Sequence, residues 1–248
     1  MSYEKFAYLY DELMQDVPYD KWVTIVEAYV NKHRIDGKKL LDLACGTGEL
    51  SVRLAREGFE VTGADLSSDM LSVAKAKADQ LRLPIQFFEQ DMADLDDLGE
   101  YDVIGIFTDS LNYLKNEQAL RQTFEGVFRL LKRGGLFLFD VHSVYKMDQI
   151  FADATFTLVE EEISYIWESF IGEEPHSVEH ELTFFVLDEL SGKYDRFEEL
   201  HFQRTYPDKF YKEILEQAGF KEVEITGDFT MEPPLPSAER IFFAMIKP

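Results

Sequence analysis

Residues 40–51 read LLDLACGTGELS: an apolar run stops on Asp42, breaks into a short glycine loop, and meets a second acid at Glu49. A glycine loop between a strand and a helix is a common seat for phosphate, because glycines let the backbone and helix N-terminus approach an anion. The dinucleotide version, G-x-G-x-x-G, is incomplete here, with Ala44 and Ser51 in place of flanking glycines, and both acids would repel a pyrophosphate. A ligand with positive charge beside the loop, a sulfonium or an ammonium, suits these carboxylates better. Asp65 lies nineteen residues beyond Gly46, at the end of VTGAD, where a carboxylate can accept from both hydroxyls of a ribose. Asp91 in FEQDM follows the next apolar stretch and is placed to accept from an adenine amino group. Each acid alone is an ordinary solvated strand end, but three at successive strand ends beside a glycine loop form a pattern. The single cysteine, Cys45, sits in the loop with no base near it in sequence, so backbone geometry explains it better than nucleophilic chemistry. No group of Cys, His and acidic residues has metal-ligand spacing, and no metal is expected.

The elements that must hold these residues alternate. Phe6, Leu9 and Leu13, then Trp22, Ile25, Val26, Tyr29 and Val30, recur at helical spacing on either side of Pro18. Strand KLLDL leads through the loop into helix ELSVRLAREG. Strand EVTGA precedes a helix with Ser67 or Ser68 as its cap and Leu71, Ala74, Ala78 and Leu81 inward. Strands PIQFFE and YDVIGIF follow, then a helix burying Leu120, Phe124, Val127 and Leu131, then Gly134-Gly135 and strand LFLFDV. This order implies right-handed crossovers and an α/β fold: a Rossmann-like, doubly wound, mostly parallel sheet. From about 154 to 206 the period shifts to two, with breaks at IGEEPHS and ELSGKYD, which reads as an antiparallel ribbon of three strands. Helix PDKFYKEILEQAG and strands EVEIT and IFFAMI close the chain. The expected division is a main domain of 1–153 and 207–248, with 154–206 as a β insertion.

At these motifs the chain resembles the class I S-adenosylmethionine-dependent methyltransferases. LDLACGTG is similar to the family's first motif, GADLS to its second and EQDMADL to its adenine-contacting segment. YDVIGIFTDSLNYL resembles the fourth-strand motif, and LLKRGGLFLFDV the turn into the fifth strand. The resemblance implies a seven-stranded sheet with an antiparallel last strand, and S-adenosylmethionine as cofactor, leaving as S-adenosylhomocysteine. It also implies methyl transfer by in-line displacement. The methionyl part would fall to Asp42, Ala44, Cys45, Gly46, Thr47 and Gly48, the ribose to Asp65 and the adenine to Asp91. Leu66, Met70 and Met92 would pack beside the adenosine, and Thr108 in the fourth-strand motif joins them. Tyr10 in YLYD is similar to a cofactor-contacting tyrosine of relatives that include sugar N-methyltransferases, which also carry a strand insertion after the fifth strand.

Such a transfer needs a positioned acceptor, and a base only when the acceptor arrives protonated. Tyr10 and His142, which follows Asp140 at the end of the fifth strand, are the catalytic candidates. Asn112, Tyr113, Tyr165, Trp167, His201, Arg204 and Tyr206 lie where the insertion should cover the site. In a regular strand His201 and Arg204 face opposite ways. The company of Leu200, Phe202 and Tyr206 puts Arg204 and Tyr206 inward, so Asn112, Tyr113, Arg204 and Tyr206 form the expected acceptor set.

Composition narrows the partners. The 248 residues include 25 Lys plus Arg against 48 Asp plus Glu, a formal charge of −23, which disfavours nucleic acid and offers phosphates no basic stripe. One cysteine, no apolar run of membrane-spanning length and an N-terminus unlike a signal peptide point to a cytoplasmic enzyme. The expected acceptor is an N or O atom of a small molecule, and the insertion offers a surface for a homodimer. A protein- or RNA-directed methyltransferase, a cofactor-binding regulatory module and a nicotinamide oxidoreductase are the competing readings. The last calls for a third glycine and no acid at the loop.

Overall fold

KLLDL is apolar almost throughout because it forms the middle of a sheet covered on both faces. In the computed structural model, which describes residues 11, 14, 17–95, 98–188 and 190–248, four of the five residues of this strand are buried. The expected helix through Phe6, Leu9 and Leu13 and the candidate Tyr10 lie outside the described residues. In chain order the main layers are α1 (Tyr19–His33), β1 (Lys39–Leu43), α2 (Glu49–Arg56), β2 (Glu60–Asp65), α3 (Ser68–Leu81), β3 (Gln86–Glu89) and β4 (Tyr101–Ile106). After a 3₁₀ turn at Ser110–Tyr113 come α4 (Glu117–Leu130) and β5 (Leu131–His142). A second sheet holds β6 (Ala154–Val159), β7 (Ile163–Ile171), β8 (Ser177–Asp188) and β9 (Lys193–Arg204). The chain then returns through α5 (Asp208–Ala218), β10 (Lys221–Gly227) and β11 (Arg240–Ile246).

The first sheet has seven strands in the order β10-β11-β5-β4-β1-β2-β3. β1 pairs in parallel with both β2 and β4, and β11 runs antiparallel between β5 and β10. The chain reverses its direction of winding at β1, so the carboxyl ends of β1 and β4 open a crevice of the kind in which such sheets bind ligands. One face packs Leu120, Phe124, Val127, Ile214 and Leu215 from α4 and α5. Trp22, Val26, Tyr29, Leu54 and Ala78 from α1, α2 and α3 cover the other. Ser67 caps α3 by accepting from the Met70 N–H at 3.3 Å, and Asn116 caps α4 through the Ala119 N–H at 2.9 Å. Leu81, expected inward, is the last residue of α3 and is exposed, since Arg82 turns left-handed there and ends the helix.

The second sheet is a four-stranded meander, β6-β7-β8-β9, not the three strands expected. The missed strand is β6, whose ATFTLV alternates half-buried Ala154, Phe156 and Leu158 with exposed Thr155, Thr157 and Val159. Two threonines on its outward face blunt its hydrophobic signal. Met147, Phe151 and Val178, with Phe156 and Trp167 against them, form a small core that seats this sheet over the end of β5. No helix among the described residues is long and apolar enough to cross a membrane.

Candidate active site

The strand ends and the second sheet enclose one cleft of about 1060 Å³. Its floor is the glycine loop. Asp42 is buried there and accepts from the Ser51 hydroxyl. Burial pushes its carboxyl up to about 7, with Ser51 pulling it down and the neighbouring Asp65 pushing it up. Ala44 (φ 61°) and Gly46 (φ 54°) are both left-handed, a conformation costly for alanine. A Cβ on Gly46 would meet nothing within 4 Å, so this glycine opens the loop toward the cleft. Gly48 serves differently. A Cβ there would sit 2.9 Å from the Ala74 Cβ, so its absence lets α3 pack against the loop, and Gly48 lies off the cleft wall. The Cys45 thiol is held well above its usual range by burial and by Asp42 and Asp65, which makes it a poor nucleophile. Glu49 lines the cleft but is already paired with Lys77 at 2.8 Å and Arg53 at 2.9 Å.

Asp65 binds the loop back to its own strand, accepting from the Gly46 N–H at 2.8 Å and the Ser67 N–H at 2.9 Å. The Leu66 N–H also leans on this carboxylate, and of its roughly four acceptor sites at least one remains for a ligand. Leu66, 66 % exposed over this edge, forms an apolar shelf with Met70 and Met92, and Asp91 is exposed beside it.

The other half of the cleft is organised by charges distant in sequence. Asp140, at the end of β5, accepts from the Trp22 indole at 2.8 Å, from the Thr108 and Asp109 N–H groups at 3.0 and 3.1 Å, and from Arg240. Those two amides are aimed at it because Thr108 (φ 52°) and Asp109 (φ 55°) are both left-handed. This is backbone strain of the sort that collects at functional sites. Arg240 also reaches Asp109 at 2.9 Å, and the other Asp109 oxygen faces His142 Nε2 at 3.2 Å. Burial pushes the Asp109 carboxyl up, but His142 and Arg240 outweigh it and hold Asp109 well below the usual carboxylate range. Burial lowers the His142 pKa, with Asp109 pulling the other way.

Thus Asp42, Ala44, Cys45, Gly46, Thr47, Asp65, Leu66, Met70, Asp91, Met92, Thr108, Tyr113 and His142 come together on one cleft. Asn112, Arg204 and Tyr206 do not line it. Asn112 is fully buried as a clamp, its amide donating to the Arg204 carbonyl at 2.8 Å and its oxygen accepting from the His142 N–H at 2.9 Å. Arg204 pairs with Glu174 at 3.2 Å and lies over the Tyr206 ring, which stacks on Phe210. His201 and Arg204 do face opposite ways, but the side that lines the cleft is that of His201, not the expected side of Arg204 and Tyr206. Leu200, the apolar neighbour that suggested the choice, is 77 % exposed, and His201 and Gln203 face the cleft. Asp109, Arg240, Gln203 and His180 were missed, and only the TDSLNY segment carried a local signal for any of them.

The methyltransferase-domain family matches residues 40–135. A protein of Geobacillus sp. (strain WCH70), named only as a methyltransferase, is 54 % identical over 248 residues, all of both chains. The chain is a class I S-adenosylmethionine-dependent methyltransferase. A methyltransferase of that cofactor class from Clostridium acetobutylicum shares the enzyme's fold with a TM-score of 0.89, at 31 % identity over 98 % of both chains. The sugar N-methyltransferase KedS8 from Streptoalloteichus shares it with a TM-score of 0.78, at 22 % identity over 97 % of this chain and 92 % of its own. The cleft fits the cofactor: an open glycine at the loop, an acceptor site left on Asp65, an apolar shelf, and the acids Asp42, Glu49, Asp65 and Asp91 on the glycine-loop half for a positively charged group.

Proposed function

We propose that the enzyme methylates an N or O atom of a small molecule held beneath the second sheet, with His142 as the base. One observation carries this reading: the acids of the glycine-loop half and the inward face of β7–β9 line the same cleft, and His142 lines it with them. KedS8, the neighbour described above, is a sugar N-methyltransferase, which supports a small acceptor.

When bound, the cofactor supplies a methyl group on a positively charged sulfur. In this reading Asp65 and Asp91 would take the ribose and adenine, and Asp42 with the Ala44–Thr47 backbone the amino-acid end. Asp109 fixes the His142 ring by facing Nε2, and serving as the base would require the ring to turn so that its buried Nδ1 meets the acceptor. A positioned base of this kind contributes roughly 10²–10⁴-fold, and holding the acceptor in line supplies most of the remainder. A sheet closing over the cleft suits a molecule that can be enclosed better than a polymer.

The test uses methyl-labelled cofactor and a bacterial extract separated into small-molecule and macromolecular fractions. Label is expected in a small molecule; label confined to protein or RNA contradicts the reading.

A further inference from the structure

Asp11, the acid that closes the YLYD stretch, does not line the cleft, yet it holds part of the cleft's floor. Its Oδ1 accepts from the Thr47 hydroxyl at 2.5 Å, and its Oδ2 pairs with Lys77 at 2.8 Å. Thr47 is buried, lines the cleft and sits between Gly46 (φ 54°) and Gly48 (φ 73°). Two glycines beside it give this part of the loop little stiffness of its own. Among the described residues the loop's backbone bonds are local. The Cys45 N–H donates to the Ala64 carbonyl at 3.0 Å, the Gly46 N–H to Asp65, and the Gly48 N–H to the Cys45 carbonyl at 2.9 Å. Asp11 reaches the same loop from 36 residues away in sequence.

Lys77, on α3, also stands off the cleft and takes a second carboxylate, Glu49 at 2.8 Å. Glu49 opens α2 and is held in turn by Arg53 at 2.9 Å. One ammonium therefore ties the segment ahead of α1, the start of α2 and the body of α3. Met14, Val17, Pro18 and Tyr19, which follow Asp11, form the cleft wall beside the glycine loop. Wall and floor of the cofactor half are thus joined through a single carboxylate that accepts from a buried hydroxyl and pairs with a mostly buried lysine. Bonds to a charged group in such a place are the strong ones, and a network holds its geometry better than one exposed pair. The Lys75–Asp79 pair on the same helix is exposed and is of that weaker kind.

We infer that Asp11 is a positioning residue for the cofactor: by holding Thr47 and Lys77 at once, it fastens the segment ahead of α1 to the glycine loop and slows cofactor release. Parting the two breaks both bonds of one carboxylate together, which neither the loop's local bonds nor the exposed pairs on α3 can replace. A ligand whose amino-acid end rests over Ala44–Thr47 leaves more readily once floor and wall can separate. Support from behind a binding loop keeps its geometry fixed, and this support comes from a residue that never touches the ligand. The fastening belongs to the cofactor half and works the same whatever the acceptor.

Release of labelled S-adenosylhomocysteine from the full-length protein, chased with excess unlabelled compound, reads this hold without any acceptor. Asp11→Ala and Thr47→Val should each speed release about tenfold. The double variant should be no faster than the faster single one, because both substitutions break one link. Asp11→Asn keeps an oxygen for Thr47 but gives up the charge that Lys77 needs. Its release should fall between the wild type and Asp11→Ala, and it carries the test should the alanine variant fail to fold. Lys75→Met, which breaks the exposed pair on the same helix, should stay within about twofold of the wild type. Raising salt from about 0.05 to 0.5 M should speed release from the wild type more than from Asp11→Ala. Release within about twofold of the wild type in both Asp11 variants would overturn the assignment. So would multiplying effects in the double variant, or an equal acceleration in Lys75→Met, and Asp11 would then be a structural contact alone.

Discussion

Asp42 and Asp65 show what one carboxylate does when it is buried beside a glycine loop. Asp42 is pushed from 3.8 to about 7, so the folded chain keeps a proton that the unfolded chain has lost between those values. That difference favours folding at low pH and fades as pH rises through about 7. Asp42→Asn carries no such penalty, so its melting temperature should gain on the wild type as pH rises from about 4 to about 7 and hold a constant lead above that; parallel curves between those values would count against the burial effect. Asp65→Ala removes the acceptor expected for the ribose and also the partner of the Gly46 and Ser67 N–H groups. Cofactor affinity, measured by calorimetry, should fall roughly tenfold or more, and stability by about 1–3 kcal/mol. An unchanged affinity would remove Asp65 from the cofactor site. These acids were legible in the sequence because each ends its own strand. The Asp109–Arg240 pair was not, since its partners lie 131 residues apart and meet only through the sheet order.

At the scale of elements, the alternation of residues 193–204 gave the strand and its two faces, but not which face turns inward. That choice is made by the small core of Met147, Phe151 and Val178, which seats Trp167 and His180, and with them His201 and Gln203, toward the cleft. Hydrophobicity misleads here because the outer face carries Leu200 and Phe202 while the inner one carries histidines. Neighbouring substitutions on β9 therefore separate the faces. Gln203→Leu breaks the link to Asp109 and should lower kcat by roughly tenfold with a shifted pH profile, leaving cofactor affinity within about twofold. Arg204→Ala loses a pairing with exposed Glu174 away from the cleft and should leave kcat and the acceptor KM within about twofold, whatever it costs in stability. Kinetics on any methylated acceptor decides it. Equal effects of the two would mean that the strand presents both faces to substrate.

For the whole molecule, a charge of −23 and a cleft ringed by acids set the field that a ligand meets. S-adenosylmethionine carries one more positive charge than S-adenosylhomocysteine, so added salt should weaken the former more. Between about 0.05 and 0.5 M salt the ratio of their affinities should move roughly twofold or more toward the product. A constant ratio would mean that only local contacts distinguish them. The strand alternation and the motifs made the seven-stranded architecture readable in advance, while β6 and the closure of the second sheet over β5 depend on tertiary packing.

If one cleft presents its two halves to a single reacting atom, a crystal structure with S-adenosylhomocysteine will show it. The ribose hydroxyls should lie on Asp65, the adenine beside Asp91 and Met92, and the amino-acid end over Ala44–Thr47. The sulfur should then face His142 across the chamber under β7–β9. A sulfur turned away from His142, or a ribose held by residues other than Asp65, would contradict the account.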